Sequence, residues 1–361
     1  MKHLACFTPL MGLVLLLASC SRNGEPEGRT DARTELDHLI LQEVFYVGHT
    51  WHRDVSGGAG VNGAQLYDED QYLTIYNPTS EVKYLDGLAL CSSALDPSQV
   101  VKIQPKDEFV GRYYGAGTMA CFPGKGQDYP IRPKQTIVVA KYAIDHQAKF
   151  LEELKKGEED EGNVFHPEQY KGVDRFLDLR KADFEWTNRE YLYGSEQRKN
   201  DPKIPDLIPM VIEKDEDGDS SPAYSFGFIA EQSGLALVKL PWTREEFDKE
   251  YQAKKEKSKY LRHISVTSTH HKSTLAVFEI PFSHVVDCIT ICPQSTFLQR
   301  VTKLDKGYQA VTERPSKTMP KVDYAKFSGK ALTRRWDGRS YVDEGNTRTD
   351  FEVKEASLSR K

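Results

Sequence analysis

The sequence predicts an all-β fold with long, partly helical insertions, and three observations carry that expectation. Between residues 71 and 91, QYLTIYNPTSEVKYLDGLALC, Leu73 and Ile75 alternate with Tyr72, Thr74 and Tyr76, the period of two that a half-buried strand requires. The chain holds 18 Tyr and 16 Phe, residues that favour strands. Short apolar runs bounded by turn-forming residues recur along the whole length.

The first 20 residues stand apart. Lys2 and His3 precede an apolar run over 10–18 that is too short to cross a bilayer as a stop-transfer helix, so it reads as a secretory signal peptide. It ends in Leu17-Ala18-Ser19-Cys20, small residues before a cysteine, which resembles the bacterial lipobox. Residues 1–19 are therefore expected to be a lipoprotein signal peptide and Cys20 the lipidated first residue of the mature chain. Each buried acyl methylene adds about 0.8 kcal/mol, so several chains on one cysteine hold a protein firmly on a membrane. Residues 20–35 are rich in Gly, Glu, Arg and Pro and read as a flexible tether. Residues 36–352 are expected to form one domain and 353–361 a tail.

Within the domain, residues 36–47 read as a strand, and 71–91 as two strands joined by the turn Asn77-Pro78-Thr79-Ser80. Further strands are expected over 109–114, 135–142, 234–240, 273–280 and 284–292. A charged helical pattern over 145–161 predicts a solvated surface helix, and a second one over 244–259 a surface excursion. The arginines and carboxylates between 331 and 351 can pair and fold that segment back on the domain.

Charge and motifs exclude more than they include. A formal charge of −5 gives no footprint for nucleic acid, which calls for a basic face. Gly57-Gly58-Ala59-Gly60 lacks the Lys-Ser/Thr of a phosphate loop; there is no GxSxG elbow and no HExxH. The segment around Trp51, His52 and Arg53 is a candidate ligand-gripping loop, with a long exposed connection as the plainer reading. Asp215, Asp217 and Asp219 form an acidic loop that invites calcium, although Gly218 and Phe226 break the EF-hand spacing. His263, His270, His271 and His284 have no metal-site spacing. Cys91, Cys121, Cys288 and Cys292 are candidate disulfide partners in an exported protein. Cys288 and Cys292 are an unfavourable pair, because four strand residues place them about 13 Å apart against a limit of about 7 Å.

A resemblance then joins these pieces. LILQEVFYVG, DQYLTIYNPTSEVKYLDGLAL, KQTIVVA, GLALVKL and VVDCITI follow the order of strands in the lamin-tail domain, an immunoglobulin-like β-sandwich. FLDLRKADFEW, VVDC and TRRWDG…DEGNTRTDF resemble a group of Bacteroidota lipoproteins, domain-of-unknown-function family 4876, with the likeness running from about Leu36 to Phe351. The resemblance implies one immunoglobulin-like (lamin-tail-like) sandwich with insertions, on an outer-membrane or cell-surface lipoprotein. Members of that group often accompany TonB-dependent receptors, and no catalytic residues are established for it.

The expected function is thus that of a non-enzymatic lipoprotein without cofactor. It would be held to the membrane by its lipid and act as a binding or accessory component of a TonB-dependent uptake system. A structural or adhesive envelope protein is the alternative on the same scaffold. A metal-assisted hydrolase using the acidic loop or the histidines is a third reading.

Overall fold

The computed structural model describes residues 36–54, 63–104, 108–194, 196–214, 220–228, 233–267, 272–313 and 323–358. Two sheets dominate. A six-stranded sheet runs in the order Phe184–Glu185, Thr136–Ala140, Tyr72–Tyr76, Ile40–Phe45, Lys330–Arg334, Phe351–Glu355. All its pairings are antiparallel except that of Phe184–Glu185 with Thr136–Ala140. A larger antiparallel sheet runs Val285–Ile291, Ser233–Lys239, Leu88–Ser93, Tyr113–Cys121, Lys272–Pro281, Leu261–Thr267, Lys102–Gln104.

Side-chain alternation builds the core between them. Leu73, Ile75, Ile137, Val139 and Leu332 of the first sheet share a buried cluster with Leu88, Leu90, Leu235, Leu237, Ile289 and Ile291 of the second. The intervening residues point the other way. Ala89, Cys91, Ala236 and Val238 form a second cluster with Phe247 and Tyr251 of the helix Arg244–Lys254. That helix is fixed at its start by a reciprocal cap between Thr243 and Glu246. The result is an all-β sandwich whose outer faces are partly covered by insertions.

The Ile40–Phe45 strand is buried along its entire length, the polar Gln42 and Glu43 included, and its other four residues are apolar. It changes parity halfway. Leu41 pairs with Ile75 and Glu43 with Thr74, so Gln42 is the extra residue of a β-bulge. Leu39 and Leu41 before it, and Val44 and Tyr46 after it, can then all enter the same core.

Several expectations are corrected. The two strands of 71–91 are present but lie in different sheets: Tyr72–Tyr76 belongs to the six-stranded sheet and Leu88–Ser93 to the larger one. The chain crosses at Asp86-Gly87, where Gly87 has φ +75° and the Asp86 carboxylate accepts the N–H groups of Gly126, Asp128 and Tyr129 at 2.9–3.0 Å. Between these strands, Lys83–Tyr84 pairs with Pro130–Ile131 instead. The strand expected over 109–114 begins only at Tyr113 and runs to Cys121, with Phe109 buried in the turn before it. Leu261–Thr267, a strand not expected from the sequence, follows directly on a run of lysines. The tail also begins later than expected. Phe351–Glu355 is a sheet strand, and the N–H groups of Ser357 and Leu358 donate to Glu43 and to the Tyr72 hydroxyl.

The helix His146–Asp160, capped by Asp145, is more than a solvated excursion. Phe150, Leu151 and Leu154 pack against a cluster containing Tyr67, Tyr170 and Phe176, in which Tyr67 and Phe176 stack at 4.0 Å. Among the described residues no helix is long and apolar enough to cross a membrane.

Candidate functional site

The strand Lys330–Arg334 lies between Ile40–Phe45 and Phe351–Glu355 and turns its last side chain into the sandwich. Arg334 is 1 % exposed, and its guanidinium pairs with Asp287 on the strand Val285–Ile291 of the opposite sheet. It also donates to the Leu41 carbonyl at 2.8 Å and the Val342 carbonyl at 3.0 Å, meets Asp343 at 3.3 Å and lies 4.6 Å over the Phe351 ring. A desolvated guanidinium persists in such a place only when its donors are satisfied in this manner. Asp287 completes its own coordination by accepting the Leu41 N–H at 2.7 Å.

The cluster reaches the surface through Asp343 and His38, which meet at 2.9 Å. The hydrogen bond to Asp343 pushes the His38 pKa up to about 9, so the imidazole is protonated at neutral pH and donates. Burial raises the Asp343 pKa, but the His38 hydrogen bond and the Arg334 charge outweigh it and hold the group at about 2. Burial pushes Asp287 up to about 6 against the pull of Arg334.

This buried cluster carries a surface hairpin. Arg335 donates its N–H to Asp350 and accepts that of Val342, and Asp337 and Ser340 close the turn. The Asp337 carboxylate accepts the N–H groups of Arg339 and Ser340 at 2.8 Å, and Gly338 takes φ +100°. Trp336 and Tyr341 face each other across the hairpin, with ring centroids 5.0 Å apart at 73°. Tyr341 in turn meets Tyr76, at the end of its strand, at 5.1 Å and 68°. The bulge residue Gln42 donates to the Tyr341 hydroxyl at 2.5 Å and accepts from Thr136 at 3.0 Å. Trp336 nevertheless stays 48 % exposed. Three rings in edge-to-face contact, fixed by a bulge residue and an ion cluster, make a rigid aromatic ladder open to solvent at one end.

The chain also has a shallow cleft of about 390 Å³ at the start of the helix His146–Asp160, lined by Asp145, Lys149, Arg180, Arg198 and Asn200 among others. Lys149 pairs with Glu152 at 3.0 Å and Arg180 with Asp178 at 2.6 Å, so most of its charge is already neutralised.

The residues singled out in the sequence fare differently. Trp51, His52 and Arg53 are not in a loop but in the strand His49–Arg53. Trp51 packs on Phe150 and Tyr170, and Arg53 pairs with Glu158 at 2.7 Å, which leaves only His52 facing outward. Asp215, Asp217 and Asp219 lie outside the described residues, as do His270 and His271. His263 donates to the Glu256 carbonyl and His284 to that of Lys239. Among the described residues no group of three or more His, Cys, Asp or Glu is placed to hold a metal. Cys20 likewise lies outside the described residues.

The disulfide expectation is corrected as well: Cys91, Cys121, Cys288 and Cys292 are all thiols. Register explains part of this. Cys91 and Cys288 flank Ala236 from opposite sides, so two strand spacings, about 9.5 Å, separate them. Cys91 pairs with Met119 and Ala89 with Cys121, which sets Cys91 and Cys121 on a diagonal of about 7–8 Å, beyond comfortable bridging. The Cys121 thiol instead donates to the Met210 sulfur at 3.4 Å.

No curated protein matches the chain. The crystal structure of a DUF4876 family protein from Bacteroides thetaiotaomicron is similar to it, with a TM-score of 0.55 and 18% sequence identity, covering 88% of this chain and 71% of that one. At that identity the likeness speaks for the fold. The sequence model for the family "Protein of unknown function (DUF4876)" matches residues 161–357, more than half of the chain. The match begins after the first strands, so it is narrower than the likeness read from Leu36 onward, but it includes VVDC with Asp287 and TRRWDG with Arg334 and Trp336. On that match the chain belongs to the DUF4876 family.

Proposed function

We propose that the chain is a non-enzymatic binding lipoprotein, tethered to the outer membrane or cell surface through Cys20, that serves a TonB-dependent uptake system as an accessory component. The observation that carries the binding part is Trp336, a large aromatic side chain 48 % exposed on a hairpin fixed by the buried Arg334. Exposing an indole forgoes burial of a side chain that would otherwise dominate a core, and rigid exposed aromatics are the residues on which binding contacts concentrate. The sandwich supplies a stiff frame for them. The tether is supported by the Leu17-Ala18-Ser19-Cys20 sequence and the polar stretch behind it.

Two measurements test the proposal together. Wild-type chain is expected in the membrane fraction and Cys20→Ala in the soluble one. Gentle detergent extraction of the wild type is expected to co-purify an outer-membrane receptor, and Trp336→Ala to reduce that recovery. Extraction that yields the chain with neither receptor nor small molecule overturns the accessory role. Loss of attachment on deletion, with uptake intact, would point to an adhesive protein instead.

A further inference from the structure

We propose that the Trp336–Tyr341 hairpin is a saccharide-binding site, in which a sugar ring lies against the Trp336 indole while its hydroxyls engage the polar turn; this rests on the binding reading above and names its ligand class.

The ladder offers one aromatic residue that is 48 % exposed, not a broad apolar surface. Among the described residues from 330 onward, the large hydrophobic side chains exposed are Trp336 and Val353. A stable protein interface takes about 800 Å² from each partner around a contiguous apolar centre, far more than a single indole provides. The charges beside it are of both signs, with Asp337 next to Arg335 and Arg339, so nothing there selects a polyanion. A ligand that fits must therefore be small, close to neutral, flat and apolar on one face, and rich in hydrogen-bonding groups around its edge. A sugar ring meets each condition: its axial C–H bonds form the apolar face and its hydroxyls the rim.

The surroundings match that rim. Arg339 and Ser340 of the turn carry side-chain donors that no described residue takes up. Asp337, whose carboxylate closes the turn, is itself an exposed residue. Tyr341 does not compete for the ligand, since its hydroxyl is held by Gln42 and its ring by Tyr76. Its part is to set the indole at a fixed angle, which lowers the ordering cost of binding. Tyr341 is thus a positioning residue and Trp336 the contact residue.

The experiment is migration of the purified full chain through native gels containing soluble β-glucan, xylan, α-mannan or dextran, with acrylamide quenching of tryptophan fluorescence alongside. Retardation by at least one polysaccharide is expected, together with protection of the exposed tryptophan from quencher. Trp336→Ala should weaken binding about ten-fold or more, the size of loss expected for an aromatic residue central to a contact. Trp336→Phe should keep part of the affinity and His52→Ala all of it. Retardation by none of the four, or retardation that survives Trp336→Ala, overturns the assignment. If the gels are blank while Trp336→Ala still reduces receptor recovery from membranes, the ligand class fails and the binding reading stands. If polysaccharide binds but no receptor is recovered, the uptake role fails and the saccharide site stands.

Discussion

Replacing Arg334 by methionine removes the group that holds the two sheets and the hairpin together. The substitution keeps most of the side-chain volume and the contact with Phe351 but deletes every donor. The carbonyls of Leu41 and Val342 lose a partner, and Asp287 remains buried with the Leu41 N–H and the weaker pull of the His38 charge in place of its ion pair. Breaking one side of a buried pair costs about 3–5 kcal/mol, because the remaining charge is left uncompensated. For a domain of this size, with an unfolding entropy of about 2.1 cal/mol/K per residue, that corresponds to a loss of about 4–8 °C in Tm. The deficit should depend on pH. Asp287 already sits at about 6, above the 3.8 of an ordinary aspartate, with Arg334 pulling it down. Without Arg334 it rises further, so between pH 4 and the folded value the native state binds a proton that the unfolded chain does not. Stability then falls as pH rises through that window, and the variant should recover part of its loss between pH 7 and pH 5. Urea denaturation of wild type and Arg334→Met at both pH values measures this. The double variant Arg334→Met with Asp287→Leu should be close to wild type, since an apolar pair avoids both desolvation costs. A single variant within about 1 kcal/mol of wild type, with no gain from the second substitution, refutes the idea that the pair is a buried charge needing its partner.

Three further outcomes are expected. The His38 pKa is raised to about 9 by Asp343, so its contribution is fully present below the unfolded value of 6.5 and is lost as pH rises through 9. Because the ring is one-third exposed, solvent screening limits this to about 1–2 kcal/mol; Tm between pH 6.5 and 9.5 should fall in wild type and not in His38→Ala. Gly48 has φ +83°, and a Cβ there would run into the Tyr67 carbonyl, so Gly48→Ala should cost about 2–4 kcal/mol in urea denaturation. Burial pushes the Cys121 thiol up to about 12 and those of Cys91 and Cys288 well above their usual value, so alkylation at pH 8 should label none of these three in native protein. All of them should be labelled in denaturant without prior reduction; a thiol that appears only after reductant would contradict the observed thiol state.

The strands were legible where apolar residues recur at a period of two, as at Leu73 and Ile75 in Tyr72–Tyr76, or where apolar residues dominate a buried strand, as in Ile40–Phe45 despite Gln42 and Glu43. What sequence pattern could not reveal was which sheet a strand joins. Residues 71–91 read as two strands joined by a turn because alternation resumes after Asn77-Pro78, and alternation is the same whether the next strand pairs with the last or crosses the core. The signal for crossing was Asp86-Gly87, an acid able to collect three N–H groups beside a glycine at positive φ. Leu261–Thr267 escaped notice for a different reason. Only Leu261, Ile264 and Val266 are buried there, so a weak alternation is lost next to a run of lysines.

The candidate site was harder to read because its parts are distant in sequence. Gln42, Tyr76, Thr136, Trp336 and Tyr341 come from three strands and a hairpin, and none belongs to a short motif that announces chemistry. The arginine–carboxylate pattern of 331–351 foretold ion pairing that folds the segment back, but gave no sign that Asp287, in VVDC, would supply the decisive partner. That partner lies on the opposite sheet, so the pair cannot form until the sandwich closes. Closing it sets the angle of the strand that ends at Arg334, and the hairpin begins at the next residue. The orientation of Trp336 therefore depends on an interaction made in the core as well as on the turn and the Tyr341 ring. A variant that unsettles Arg334 should weaken ligand binding even where the domain remains folded, whereas a change on the outer face of the helix His146–Asp160 should leave it intact. Binding to Arg334→Met, measured well below its unfolding temperature, separates this coupling from a hairpin that holds its shape alone.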